Sequence, residues 1–126
     1  MLWQEASGKE FEKYVERVLK RKFPVGKGWQ IYPKSQLPYK GTSTTVDFEL
    51  TNKRTGERII VDAKDKTSLS VADIRQLSAY KRSAKAKKAM VYIASRTHVS
   101  DSIDKAAKKS NIEICKTRYP SESSLF

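Results

Sequence analysis

In 126 residues the chain carries 26 lysines and arginines against 14 aspartates and glutamates, a formal charge of +12. That length suits a single domain, residues 1–126, with a core at about 8–116 and a tail over 117–126. The cationic excess favours a polyanionic partner through counterion release. One cysteine, Cys115, and one histidine, His98, exclude an intramolecular disulfide, a cysteine-rich zinc site and a histidine metal cluster.

Residues 5–22 read as a helix, because Phe11, Tyr14, Val15, Val18 and Leu19 follow helical spacing and Pro24 and Gly26 stop it. Trp29 to Tyr32 is a short strand bounded by Gly28 and Pro33. Residues 33–44, rich in Pro, Gly, Ser and Thr, read as a loop. Two apolar strands follow, at 45–50 and 58–64, joined by a turn with Asn52, Thr55 and Gly56 at its heart. Ser70 caps a helix over 71–84, with Asp73 near its positive end and Ile74, Leu77 and Tyr80 facing inward. Residues 89–94 form a continuous apolar run, the mark of a strand buried on both faces. Ser100 starts a helix over 101–110, Asn111 ends it, and 112–116 is the last strand. The stretch from Arg118 to Phe126 reads as loosely ordered. The order α, β, β, β, α, β, α, β predicts an α/β fold, a mixed central β-sheet with flanking helices and two crossover connections.

The informative chemistry lies in the two adjacent strands. Side chains alternate faces along a strand, so Asp62 and Lys64 share one face while Val61 and Ala63 take the other. Pairing Thr51 with Arg58 sets Asp47 opposite Asp62. Two carboxylates and an ammonium then converge on one patch, suited to a divalent metal and a water nucleophile. A plain surface ion pair at a strand end is the competing explanation. An acid-x-Lys triplet is common by chance, and its context on an apolar strand with an acid across a hairpin raises its weight. A slip of one residue would put the acids on opposite faces.

These features resemble the PD-(D/E)xK, or restriction-endonuclease-like, nuclease superfamily. The carriers are Asp47 and Asp62-Ala63-Lys64, with an acidic helix before them and a glutamine-bearing helix after them. The resemblance spans about residues 8–116 and departs from the family in having Val46 where a proline often precedes the first acid. It implies an αβββαβ core and a phosphodiesterase using Mg²⁺, with Mn²⁺ able to substitute. Asp47, Asp62 and the backbone carbonyl of Ala63 would be its ligands. Lys64 would stabilise developing charge or position the attacking water. The stretch Gly8-Lys9-Glu10-Phe11-Glu12 resembles a G-x-x-x-E pattern of several such nucleases, which marks Glu12 as a metal or water ligand. Glu16 is the second choice, and i,i+4 pairing with neighbouring cations is the ordinary role of both. Gln76 resembles a glutamine of junction-resolvase-like and Mrr-like members that orients water or contacts phosphate; a solvent-facing polar residue is the competing and slightly favoured explanation.

Lys27, Lys34 and Lys40 lie in a basic stretch flanked by Trp29, Tyr32 and Tyr39, which could stack on unpaired bases or pack in the core. With Lys66, beside the motif, they are candidate nucleic-acid contacts; Asp65 reads as a surface residue. The leading functional reading is a metal-dependent endonuclease on DNA, structure-selective and acting as a homodimer. One alternative is an RNA-cleaving (tRNase) toxin domain, partnered by an acidic immunity protein and delivered into a target cell's cytoplasm. Another is a non-catalytic nucleic-acid-binding module, against which the acids argue, because carboxylates repel phosphate unless a cation intervenes. No membrane partner is expected, and with no apolar secretion core near the N-terminus the expected compartment is the cytoplasm.

Overall fold

The computed structural model describes residues 2–119, with side chains described from Gly8 onward except that of Tyr39. The tail expectation from Pro120 onward, and the stacking expectation for Tyr39, lie outside these described residues and side chains. Helix α1 spans Leu2–Lys22, followed by a 3-10 turn at Val25–Lys27 and strands β1 (Trp29–Tyr39), β2 (Thr42–Asn52) and β3 (Arg58–Lys64). Helix α2 (Val71–Ser83), strand β4 (Lys88–Ile93), helix α3 (Asp101–Lys109) and strand β5 (Ile112–Lys116) complete the chain.

The strands form one sheet in the order β1-β2-β3-β4-β5. The first three pair antiparallel, while β3, β4 and β5 pair in parallel through the α2 and α3 crossovers. This is the mixed α/β sheet expected from the sequence. Its two faces bury separate clusters. Phe11, Val15 and Leu19, one turn apart on α1, pack on Phe48, Leu50, Ile59, Val61, Met90 and Tyr92. On the other face, Ile74, Leu77 and Tyr80 of α2 and Ile103 and Ala107 of α3 cover Ile60, Val91 and Ile93. Each fully buried aliphatic or Phe side chain contributes about 1.5–3 kcal/mol, so a three-residue stripe suffices to seat α1. Ser70 caps α2 through a reciprocal box with Asp73, and Ser100 caps α3 by accepting the Ile103 amide. Asn111 ends α3 in the left-handed region at φ 56°.

The segment 33–44 departs from the loop expected of it. The strand starting at Trp29 continues to Tyr39 and returns as β2 from Thr42, a long hairpin turned by Lys40 (φ 49°) and Gly41 (φ 78°). Two positive φ values are what a tight two-residue hairpin turn demands. Pro33 and Pro38 are tolerated because β1 is an edge strand. The faces of this hairpin exchange midway. Phe48 and Leu50 lie in the α1 cluster, yet Val46, an even number of positions away, lies in the cluster under α2. The same exchange separates Ile31 from Leu37 on β1. It falls at Asp47 and at the residue facing it, Lys34, whose φ is +53°. A left-handed lysine inside a strand costs about 1–2 kcal/mol and is held there by its surroundings.

Candidate active site

The β2–β3 ladder runs through Thr51–Arg58, Leu50–Ile59, Glu49–Ile60 and Phe48–Val61, the register that sets Asp47 opposite Asp62. There the ladder stops and β2 departs toward α2, where Thr44 Oγ1 donates to Tyr80 Oη at 3.1 Å. In place of the next rung, Asp47 Oδ2 accepts the Ala63 amide at 2.8 Å. The N–H and C=O of one strand residue point to the same side, so the Ala63 carbonyl faces the same opening.

Asp62 is only 6% exposed, whereas Asp47 is half-buried. Burial, then the charge of Asp62, push the Asp47 carboxyl up to about 6, against the pull of the Ala63 amide and Lys34. Burial also raises Asp62, with Lys64 and the Asp47 amide pulling it down and Asp73 and Glu12 adding to the rise. Lys64 Nζ lies 3.8 Å from Asp62 Oδ2, a loose contact. The two acids are therefore short of positive charge.

Glu12 reaches the same patch from α1. It follows core residue Phe11 on the flank nearest β1, where its Oε2 accepts from Lys34 Nζ at 2.7 Å. Lys34 Nζ is also 3.8 Å from Asp47 Oδ1. Glu16, one turn on, pairs with Lys20 at 3.3 Å instead. A cavity of about 250 Å³ opens here, lined by Lys9, Glu12, Lys13, Glu16, Lys34 and Asp47.

The remaining sequence candidates separate. Gln76 is exposed on α2, one turn beyond Asp73. Lys66 is held by Asp73 at 2.8 Å; this ion pair and the Ser70 amide bring the Asp73 carboxyl below its usual range despite its partial burial. Asp65 is a nearly buried carboxylate paired with Arg96 at 2.9 Å, not a surface residue. Lys40 occupies the tip of the β1–β2 hairpin, beyond Thr42, which lies five residues along β2 from Asp47. Lys27 sits at the opposite end, where its carbonyl accepts from Asn52, five residues along β2 from Asp47. At about 3.3 Å per residue that is roughly 16 Å from the carboxylates, so Lys27 does not share their site. Trp29 stacks edge-on with Phe23, at 4.8 Å between centroids, the two half-buried against the α1 cluster, while Tyr32 is exposed. Sequence reading missed the Lys34 bridge to Glu12, for which no local pattern exists.

A divalent ion suits this donor set in chemistry: two carboxylates raised by burial, Asp47 also by the charge of Asp62, are with a carbonyl hard oxygen ligands. Among the described residues, no three His, Cys, Asp or Glu side chains are grouped closely enough to hold an ion by themselves. The carbonyl and water would have to complete the shell. No helix among the described residues is long and apolar enough to cross a membrane.

The Mrr_cat family profile, described as restriction endonuclease, matches residues 3–118. No curated protein matches the sequence. Among solved structures, a protein of unknown function aligns with a TM-score of 0.64 and 17% identity, over 90% of this chain and 62% of that one. Pyrococcus furiosus SfsA in complex with Ca²⁺ aligns with a TM-score of 0.52 and 20% identity, over 90% of this chain and 56% of that one. EndoMS in complex with double-stranded DNA aligns with a TM-score of 0.50 and 14% identity, over 75% of this chain and 38% of that one. At such identities the likeness is one of fold, and the chain spans at most 62% of the length of these neighbours.

Proposed function

Because this chain belongs to the Mrr_cat restriction endonuclease family, we propose that it is a metal-dependent endonuclease hydrolysing phosphodiester bonds in DNA. The observation that carries this reading is the pairing of buried Asp62 with half-buried Asp47 at the opening of the sheet, both raised by burial, in a chain of charge +12. A binding module gains nothing from carboxylates beneath a polyanion, and a nuclease needs them to hold a cation.

Asp47, Asp62 and the Ala63 carbonyl would hold Mg²⁺, or Mn²⁺ in its place, with Glu12 completing the shell directly or through water. Such an ion, when bound, supplies Lewis acidity toward a phosphate oxygen and a bound water of lowered pKa. Lys64, on the face of Asp62 and 3.8 Å from it, would offer its ammonium to the charge developing on the phosphoryl oxygens. Gln76, exposed on α2, would contact a phosphate or orient water. Lys40 at the hairpin tip and Lys66 beside the motif contact the DNA backbone and set its register. DNA is favoured over RNA because a neighbour of the same fold is a DNA complex. Selectivity rests on DNA shape, since the residues around the carboxylates are suited to phosphate rather than base-edge readout.

The test is a panel of duplex, single-stranded, four-way-junction and tRNA substrates with Mg²⁺ or Mn²⁺. Preferential cutting of duplex or junction DNA supports the reading, and cutting of tRNA alone replaces it with an RNA-cleaving one.

A further inference from the structure

Lys34 has no role in the chemistry above, yet three observations converge on it. It faces Asp47 across the β1–β2 ladder, between the Pro33–Phe48 and Ser35–Val46 pairs. Its backbone adopts a φ of +53° inside a strand, where an L-residue gains nothing locally. Its ammonium bridges helix α1 and the sheet, 2.7 Å from Glu12 Oε2 and 3.8 Å from Asp47 Oδ1. The side chain is 60% exposed, so the ammonium can leave the carboxylates without crossing the core.

We propose that Lys34 is a positioning residue that acts as a displaceable internal cation, holding Glu12 and Asp47 in place and competing with a divalent ion for them. The inference rests on the metal-site reading of the preceding section and adds to it a residue that sets how tightly the ion binds. A carboxylate oxygen engaged by an ammonium at 2.7 Å is not free to ligate an ion, and two cations over one carboxylate pair repel. Removing the ammonium therefore raises metal affinity. A lysine serving only to brace α1 against β1 would do the reverse, since its loss would let the ligands drift apart.

The test is Mn²⁺ binding by calorimetry, on the intact protein without DNA, for wild type and for Lys34→Met, Lys34→Arg and Lys9→Met. Lys9 lines the same cavity and controls for charge in general. The expected result is about tenfold tighter Mn²⁺ binding in Lys34→Met, near wild-type binding in Lys34→Arg and little change in Lys9→Met. Equal or weaker binding in Lys34→Met overturns the proposal, as does an equal gain in Lys9→Met. If neither wild type nor Lys34→Met binds Mn²⁺ at all, the metal-site reading falls and takes this inference with it. If both bind and differ as expected, both stand. Melting in EDTA checks folding: Lys34→Met should melt lower than wild type and Lys34→Arg close to it, so a folded Lys34→Met keeps the comparison valid.

Discussion

Asp47 closes the gap between β2 and β3 with its own carboxylate, which accepts the Ala63 amide at 2.8 Å where a backbone carbonyl would otherwise stand. One side chain thus does structural and electrostatic work at once, and two substitutions separate them. Asp47→Asn keeps an oxygen for the amide and should fold, with cleavage reduced by about 10²–10³-fold. Asp47→Ala leaves the amide of Ala63 unpaired and should also cost about 1–3 kcal/mol in urea unfolding.

The raised carboxyls make stability depend on pH in a defined direction. Asp47 titrates near 6 in the folded chain and near 3.8 when unfolded, so the folded state holds its proton more tightly across that window. Stability therefore falls as pH rises from about 4 through 6, by up to about 2–3 kcal/mol, and Asp62 shifts in the same sense. In EDTA the protein should melt lower at pH 7.5 than the rest of its charges would require, Asp47→Asn should flatten the slope, and Mg²⁺ should restore melting at pH 7.5. A pH-independent melting temperature in EDTA would show that the carboxylates are already neutralised.

Lys64 stands near Asp62 without a tight bond, at 3.8 Å, and is therefore available to substrate. Lys64→Ala should lower the cleavage rate by about 10²-fold or more while DNA affinity changes by only about a fewfold. A loss confined to affinity would reassign it to backbone binding.

The far end of the sheet provides a stability test remote from the chemistry. Gly28 has a φ of +97°, and a Cβ there would sit 2.8 Å from Asn52 Oδ1, the atom that accepts the Arg54 and Thr55 amides. Gly28→Ala should destabilise by about 1–3 kcal/mol. Cleavage of the surviving folded fraction should stay unchanged, because roughly 16 Å of strand separates Asn52 from Asp47.

Binding of DNA by so basic a chain should weaken steeply with salt. Lys40→Ala, at the hairpin tip, should weaken duplex binding equally for all sequences and reduce the log–log salt slope by about one. An unchanged slope would remove the hairpin tip from the interface.

Much of the scaffold was legible in the residues themselves. The strand Arg58–Lys64 shows as an apolar run, the turn before it as Asn52 and Gly56, and together they place Asp47 against Asp62. Ser70 and Ser100 announce their helices by capping chemistry. The long hairpin was hidden because Pro33, Pro38 and a Lys40-Gly41 turn carry loop signals, and only its position at the sheet edge makes them compatible with a strand. Glu12 and Glu16 are alike in sequence, and the path of β1 past α1 distinguishes them by bringing Lys34 to Glu12. The left-handed Lys34 follows from tertiary packing and has no signature in its neighbours.

Cleavage of a duplex or junction by wild type and Asp62→Ala, each with Mg²⁺ and with EDTA, tests the central claim most directly. The account predicts cutting by wild type in Mg²⁺ alone, and none by Asp62→Ala although it still binds DNA. Cutting that survives EDTA, or cutting by Asp62→Ala at the wild-type rate, would contradict it.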